Sequence, residues 1–287
     1  MKPLVSVIIP VYNRITFLHA AIDSVLAQSY QPLEIIVVDD GSSCDVFKHL
    51  MQYHGLLTFI RKENGGLASA RNFGSKRARG EFLAFLDDDD VFLPEKLDQQ
   101  ISILLGHPEA GLVYSDEYLL DETGRMSQVP MRAKWSPSLP SGYIAREFFM
   151  KSFIGVMTVM IRRSIFDELG GFDESLLYNE DDDLWFRIML KYPVICSDYV
   201  SGARRLHRTN MSRNRHKMVY YQLACIQKYI VECPVFVAEN IDYVKDRIRL
   251  LLKSYFRWCI TGIHPPSFGV IVMNNQLRKR LRSCIAA

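Results

Sequence analysis

The sequence lacks most of the features that mark secreted, zinc-binding and membrane-spanning proteins. Its 287 residues contain only six cysteines, with no CxxC pair and no regular spacing. That usage argues against a disulfide scaffold or a zinc site and suits a reducing cytoplasm. No apolar run reaches the roughly 18 to 20 residues that span a bilayer. The apolar N-terminal stretch has no small-residue cleavage site after it, so we interpret it as a buried strand.

Glycine-rich nucleotide-binding loops are also missing. The first predicted strand is followed by neither a Walker-A lysine loop nor a GxGxxG turn, so a P-loop NTPase or a dinucleotide-binding domain does not fit. Hydrophobic residues make up 48% of the chain. That share is enough for one large α/β domain, with or without an appendage, and it argues against global disorder.

The small net charge of +3 conceals a large asymmetry along the chain. Residues 1–200 hold 19 Lys and Arg against 28 Asp and Glu, whereas residues 201–287 hold 16 against 4. A charge asymmetry of this size predicts that the C-terminal part binds an anionic partner.

Apolar strands and amphipathic helices alternate in the first 110 residues. The predicted strands are LVSVIIP (4–10), LEIIVV (33–38), LTFI (57–60) and EFLAFL (81–86). The main predicted helices are 16–29 with Thr16 as N-cap, 67–78, and 94–105 opened by Pro94. Strands that are apolar throughout and separated by helices predict a mostly parallel sheet covered on both faces. Further on, we expect a helix over 184–192 and a mainly helical segment over 216–258.

Polar residues follow three of the predicted strands directly. They are Tyr12 with Asn13, Asp39 with Asp40, and the run Asp87–Asp90. Ligands of open α/β sheets bind at the carboxyl ends of the strands, so we expect these three segments to converge on one crevice.

Four consecutive aspartates, Asp87–Asp90, repel one another unless a cation is present. Aspartates at alternate positions after a strand can both point at one hard cation, and Mg²⁺ or Mn²⁺ prefers such oxygen ligands while keeping positions open for phosphate. The alternative interpretation is a solvated acidic turn, which the position after a buried strand makes less favourable.

Six segments in order carry a specific resemblance: VSVIIPVYNR, EIIVVDDGSS, NGGLASARNFG, FLAFLDDDDVFLPEKL, GGFDESLLYNEDDDLWFRI and LHRTNMS. Over residues 3–215 the chain resembles glycosyltransferase family 2, inverting enzymes of the GT-A fold that use nucleotide-sugar donors. The resemblance implies a Rossmann-like, mostly parallel sheet flanked by helices. It also implies a catalytic domain over 1–215, with a nucleotide-binding half at 1–110 and an acceptor-binding half at 111–215. Residues 216–287 then form a basic, mainly helical extension.

The resemblance also implies roles for the residues that would hold the nucleotide. Pro10 and Tyr12 would flank the nucleobase, and Arg71 would lie near the nucleotide. Asp39 or Asp40 would accept a hydrogen bond from the base or ribose, with Asp40 preferred for the base. The alternatives are an ordinary strand-end aromatic for Tyr12 and a plain turn for DDGSS.

Further roles implied by the resemblance concern the metal and the chemistry. Asp87 and Asp89 would be the DxD pair at Mn²⁺ or Mg²⁺. Asp88, where many relatives have a small residue, leaves the ribose and metal ligands uncertain by one position. His207 would reach the metal or the diphosphate, and Asp181 would be the general base. The EDDD segment could instead serve only as acidic capping of a helix, and His207 could be a surface residue.

These implied roles predict a metal-dependent transfer from a nucleotide-sugar to a glycan or lipid-linked acceptor, for example in surface polysaccharide synthesis. A UDP-sugar is the preferred donor, followed by dTDP, with GDP less favoured. The alternatives are a sugar-phosphate nucleotidyltransferase and a non-catalytic nucleotide-sugar-binding protein. Nucleic acid is not an expected partner, because an acidic crevice does not suit its phosphates.

The basic C-terminal region suggests a further partner. Lys245, Arg249, Lys253 and Arg257 recur every fourth residue beside an apolar helix face, and LRKRLR (277–282) adds positive charge. We expect residues 240–287 to contact an anionic membrane surface, which would place the protein peripherally on the inner face of the cell membrane. The alternative is a helix packed on the catalytic domain with a solvated basic side.

Overall fold

The computed structural model describes residues 2–131 and 139–260 and divides them into two compact units. Among the described residues, the first unit comprises 2–131, 139–145 and 153–208, and the second comprises 146–152 and 209–260. We keep as predictions the two halves at 1–110 and 111–215 and the boundary after residue 215.

The secondary structure follows the alternation expected from the sequence. The strands are β1 (Val5–Val11), β2 (Leu33–Asp39), β3 (Thr58–Arg61), β4 (Phe82–Phe85), β5 (Val91–Phe92), β6 (Leu112–Tyr114), β7 (Glu117–Leu120), β8 (Met160–Arg162), β9 (Val194–Cys196) and β10 (Gly202–Arg205). The helices are α1 (Leu18–Leu26), α2 (Val46–His49), α3 (Leu67–Ser75), α4 (Lys96–Gly106), α5 (Ala145–Met150), α6 (Arg163–Glu168), α7 (Glu180–Met189), α8 (Arg215–Glu232), α9 (Pro234–Glu239) and α10 (Ile241–Ile260).

Seven strands of the described chain form one sheet in the order β3-β2-β1-β4-β8-β6-β9. The first four run parallel, with Val11 opposite Asp39 and Ile8 opposite Phe85, whereas β8 is antiparallel to both its neighbours. All seven residues of β1 are buried, as expected for an apolar strand at the centre of a sheet covered on both faces. The prediction of a mostly parallel α/β sheet is therefore confirmed.

A smaller sheet, β5-β10-β7, positions the last segment of the site. β10 pairs antiparallel with β5, which follows the four aspartates directly, and parallel with β7. The chain leaving β10 therefore runs beside the aspartates although more than 100 residues separate the two segments.

Three predicted helix starts differ from the structure. α1 begins at Leu18, so Thr16 is not its N-cap. α4 begins at Lys96, since the left-handed φ of 63° at Glu95 interrupts the helical path after Pro94. α7 begins at Glu180, so the acidic residues that were expected to precede the helix form its first turn, where the helix dipole favours negative charge.

The described part of the second unit is mainly helical. Val244, Ile248, Leu251 and Tyr255 of α10 are buried, and the Tyr255 ring lies 5.5 Å from that of His216 on α8. None of the described helices is long and apolar enough to cross a membrane. The side chain of Arg257 and the segment 277–282, which were part of the predicted basic surface, lie outside the described residues.

Candidate active site

The loops after β1 and β2 are tied together at the crevice. Asn13 adopts a left-handed φ of 56°, which asparagine tolerates better than most residues. Its amide donates to Ser42 Oγ at 2.9 Å, and its Oδ1 accepts from the Ser43 amide at 2.7 Å. The adjacent Tyr12 is left 51% exposed, whereas Pro10 is buried within β1.

Asp39, at the end of β2, keeps one carboxylate oxygen without a hydrogen bond. Its Oδ1 accepts from the Ser42 amide at 2.9 Å. Its Oδ2 is buried, has no hydrogen-bond partner among the described residues, and lies 3.4 Å from Arg61 Nη1. A buried acceptor without a donor is costly, so this oxygen is suited to a ligand N–H or O–H.

Asp40, by contrast, is fully occupied within the protein. Its Oδ1 accepts from Lys62 Nζ at 2.8 Å and from the Gly65 amide at 3.0 Å. Its Oδ2 accepts from the Gly66 amide at 2.8 Å and from Asn64 Nδ2 at 3.2 Å. Through these four hydrogen bonds, Asp40 fixes the conformation of the loop before α3.

The Asp87–Asp90 cluster provides oxygen atoms that are close enough to share one cation. One carboxylate oxygen from each of Asp87, Asp89 and Asp90 lies within 4.8 Å of the others. His207 Nε2 lies 2.7 Å from Asp89 Oδ2, close to the spacing of about 3 Å between neighbouring ligand atoms of an octahedral ion at about 2.1 Å. Hard oxygen donors with one imidazole fit Mn²⁺ or Mg²⁺.

Electrostatics support the same interpretation of the cluster. Burial, followed by the charges of neighbouring aspartates, raises the pKa of Asp90 well above its ordinary value. Burial also raises the pKa of Asp88 well above its ordinary value, although Arg14 opposes the shift. Burial therefore disfavours the ionised forms of these aspartates, and a bound cation would favour them.

His207 and Arg14 meet at the same carboxylate. His207, only 4% exposed, follows β10 and packs against the Phe17 ring at 5.4 Å. Arg14 Nη1 donates to Asp89 Oδ2 and lies 2.9 Å from His207 Nε2, while Arg14 Nε lies 3.1 Å from Asp88 Oδ1. The alternative of a surface histidine is therefore wrong, and an arginine that was not predicted joins the site.

Arg71 of α3 joins the aspartate cluster to the start of α7. Its Nη2 donates to Asp87 Oδ1 and its Nη1 donates to Glu180 Oε1, both at 2.6 Å, and its side chain is 1% exposed. Asp181, the predicted base, is half-buried beside Glu180 and accepts from the Asp182 amide at 2.9 Å. Two groups of carboxylates thus approach one crevice but are separated by a guanidinium.

The two acidic residues at the start of α7 are unusually basic for carboxylates. Burial raises the pKa of Glu180 to about 7, with Asp181 adding to the shift and Arg71 opposing it. Burial also raises the pKa of Asp181, again against Arg71. A carboxylate with a raised pKa is a stronger proton acceptor, as a general base requires.

The structure therefore brings together most of the predicted site residues: Asp87, Asp88 and Asp89 with His207 and, through Arg71, the start of α7. Three members were given no role from the sequence: Arg14, Glu180 and, within the acidic run, Asp90. Each adjoins a residue that was predicted, so proximity to the strand ends and to the acidic helix start is the signal that could have found them.

Comparison with known proteins is consistent with this geometry. The sequence profile of glycosyl transferase family 2 matches residues 6–170. The chain belongs to glycosyltransferase family 2. An uncharacterised glycosyltransferase of Rickettsia typhi is 37% identical over 75% of this chain and 68% of its own length. A β-1,3-glucosyltransferase of Escherichia coli, WfgD, named for UDP-Glc and α-D-GlcNAc-diphosphoundecaprenol, is 30% identical over 88% of this chain and 95% of its own length.

Solved structures show that this family 2 member has the GT-A fold. Staphylococcus aureus TarS in complex with UDP-GlcNAc superposes with a TM-score of 0.61 at 21% identity, over 79% of this chain and 66% of that one. A mannosyltransferase from Pyrobaculum calidifontis in complex with GDP-Man and Mn²⁺ gives a TM-score of 0.63 at 18% identity, over 100% of this chain and 84% of that one. The chain spans only 35% of a longer relative from Rickettsia felis.

Proposed function

We propose that this family 2 glycosyltransferase moves a sugar from a nucleotide diphosphate to an acceptor hydroxyl with inversion at the anomeric carbon. The observation that carries the proposal is the pair of carboxylate groups separated by Arg71, one clustered at Asp87–Asp90 and one at Glu180 and Asp181. An inverting displacement needs both, because the leaving diphosphate and the proton acceptor lie on opposite sides of the reacting carbon.

In this mechanism Asp181 takes the proton of the acceptor hydroxyl as its oxygen bonds to the anomeric carbon, and the bond from that carbon to the diphosphate breaks. Asp87, Asp89 and His207 would hold Mn²⁺ or Mg²⁺, which supplies charge stabilisation for the leaving diphosphate. Arg71 restrains both acidic groups, so we assign it a positioning role in addition to the predicted place near the nucleotide.

We propose Asp39, in place of Asp40, as the residue that binds the nucleobase. Asp39 has a buried oxygen without a donor, whereas all four donors around Asp40 come from the protein. A uracil edge offers an N–H to this oxygen, and the half-exposed ring of Tyr12 offers a stacking face. The names of TarS and WfgD support UDP, although the mannosyltransferase was solved with GDP-Man.

The acceptor is proposed to be lipid-linked. WfgD, whose alignment covers most of both chains, is named for a diphosphoundecaprenol acceptor. Contact of residues 240–287 with anionic lipid, and a peripheral location at the inner membrane face, stay predictions. Within the described part of that region, Lys245 and Arg249 pair with Asp242 and Asp246, which reduces the net positive charge of the helix surface. Binding of the protein to liposomes with and without anionic lipid tests this prediction.

A thermal-shift screen of UDP, dTDP and GDP, each with and without Mn²⁺, tests the donor and the metal together. The nucleotide that binds should raise the apparent stability by mass action, and only when Mn²⁺ is present. Asp89→Asn should abolish this metal-dependent shift, whereas Asp167→Asn, on an exposed surface position, should preserve it. A shift that survives Asp89→Asn unchanged would contradict the proposed metal site.

A further inference from the structure

Arg14 contacts several residues of the proposed metal site. Its guanidinium contacts Asp88 through Nε and Asp89 through Nη1, and the same Nη1 lies 2.9 Å from His207 Nε2. Asp89 Oδ2 and His207 Nε2, both in the proposed ligand set, lie 2.7 Å apart. One arginine therefore contacts two of the three proposed metal ligands.

A guanidinium and a divalent cation compete for these atoms. Asp89 Oδ2 already receives a hydrogen bond from Arg14, and like charges at such short range repel strongly in a partly buried site. The Arg14 side chain is itself 29% exposed and belongs to the irregular segment between β1 and α1, so it has a route out of the cluster.

Arg14 has a clear alternative partner once a donor binds. A planar guanidinium with several parallel N–H groups suits phosphate oxygens better than a single carboxylate, and it binds them bidentately. The donor diphosphate would lie beside the same cluster, because the divalent ion that the cluster would hold would stabilise the charge of the diphosphate.

We infer that Arg14 is a built-in counter-cation of the metal site. In the metal-free protein Arg14 binds Asp88 and Asp89. When the donor binds, Arg14 moves from Asp89 to the diphosphate, so the divalent ion binds tightly only together with the nucleotide. This inference rests on the proposed function, since it requires the metal site at Asp87 and Asp89. It makes Arg14 a positioning residue that couples ion binding to donor binding.

The test is a titration of the full-length protein with Mn²⁺, followed by electron paramagnetic resonance, without nucleotide and with UDP. Arg14→Gln should bind Mn²⁺ alone about tenfold more tightly than the wild type, within the range of coupling between linked sites. UDP should strongly increase the Mn²⁺ affinity of the wild type. The same increase should be about tenfold smaller in Arg14→Gln. Arg79→Gln, which removes the same charge at a side chain that is 78% exposed, should match the wild type within about twofold.

Two further variants keep the test decisive. Adding Asp89→Asn to Arg14→Gln should abolish the gain in Mn²⁺ affinity, which places the ion at the cluster. Should Arg14→Gln fail to fold, Arg14→Lys keeps the charge but cannot span both carboxylates, and it should bind Mn²⁺ alone about threefold more tightly than the wild type.

The outcomes separate this inference from the function on which it rests. Unchanged or weaker Mn²⁺ binding by Arg14→Gln, with metal-dependent UDP binding intact in the wild type, would overturn the role of Arg14 and leave the proposed function standing. Wild-type protein that binds Mn²⁺ equally tightly with and without UDP would also overturn it. Absence of Mn²⁺ binding in every variant, with or without UDP, would overturn the metal site itself and the inference with it.

Discussion

Replacement of Arg71 by methionine tests the buried connection between the two acidic groups. The Arg71 side chain is 1% exposed and makes two ion pairs at 2.6 Å, to Glu180, which is 6% exposed, and to Asp87, which is 27% exposed. Removal of one partner of a buried pair costs about 3–5 kcal/mol because the other charge stays buried. We assign most of this cost to Glu180, since solvent screens the carboxylate of Asp87.

The loss of stability caused by Arg71→Met should depend on pH, and the pKa of Glu180 determines the direction of this dependence. Its pKa is about 7 in the folded protein even with Arg71 present, which lies above the value of an exposed glutamate. The unfolded chain therefore releases this proton at lower pH, and the folded state loses stability as the pH rises toward 7. Without Arg71 the folded pKa is higher still, so the penalty grows by up to about 1.4 kcal/mol per pH unit above pH 7.

Urea unfolding of the wild type and of Arg71→Met at pH 6 and pH 8 measures both effects. We expect a loss of about 3–5 kcal/mol in the free energy of unfolding at pH 8 and a smaller loss at pH 6. Adding Glu180→Gln should recover part of the loss, because no charge is then left buried. Arg79→Met, which removes the partner of Glu34 at a side chain that is 78% exposed, should cost less than about 1 kcal/mol. A cost for Arg71→Met as small as that of Arg79→Met at pH 8 would refute the reasoning.

Three other predictions address the general base, the nucleobase site and a buried lysine. Asp181→Asn should lower the transfer rate by about 10² to 10⁴ while donor affinity, measured by calorimetry, stays unchanged. Asp39→Asn should weaken nucleotide binding about tenfold in the same assay, because an amide is a poorer acceptor than a carboxylate. Burial lowers the pKa of Lys96 well below its ordinary value. The unfolded chain therefore binds the extra proton, and wild-type stability rises with pH. Lys96→Met should remove up to about 1.4 kcal/mol per pH unit from that rise at pH values below about 10, measured by urea unfolding.

The central sheet could be predicted because its strands carry their signal locally. β1, β2 and β4 are short apolar runs that end in polar residues, and the strand order then places those ends side by side. The convergence of Asp39 and Asp87–Asp90 on one edge follows from that architecture alone.

Contacts between distant residues could not be predicted in the same way. Arg14 and His207 are 193 residues apart, and the pairing of β10 with β5 brings them together. The hydrogen bonds from the loop at 62–66 to Asp40 likewise join residues that are distant in the sequence. The start of α4 was shifted because the left-handed backbone at Glu95 has no clear sequence signal.

The most direct test of the account is a crystal structure of the protein with Mn²⁺ and UDP, collected at a wavelength where manganese scatters anomalously. We predict an anomalous peak within about 2.0–2.4 Å of a carboxylate oxygen of Asp89 and next to the diphosphate, with Arg14 moved away from Asp89. A UDP molecule bound without a peak at Asp87–Asp90, or a peak elsewhere in the molecule, would contradict it.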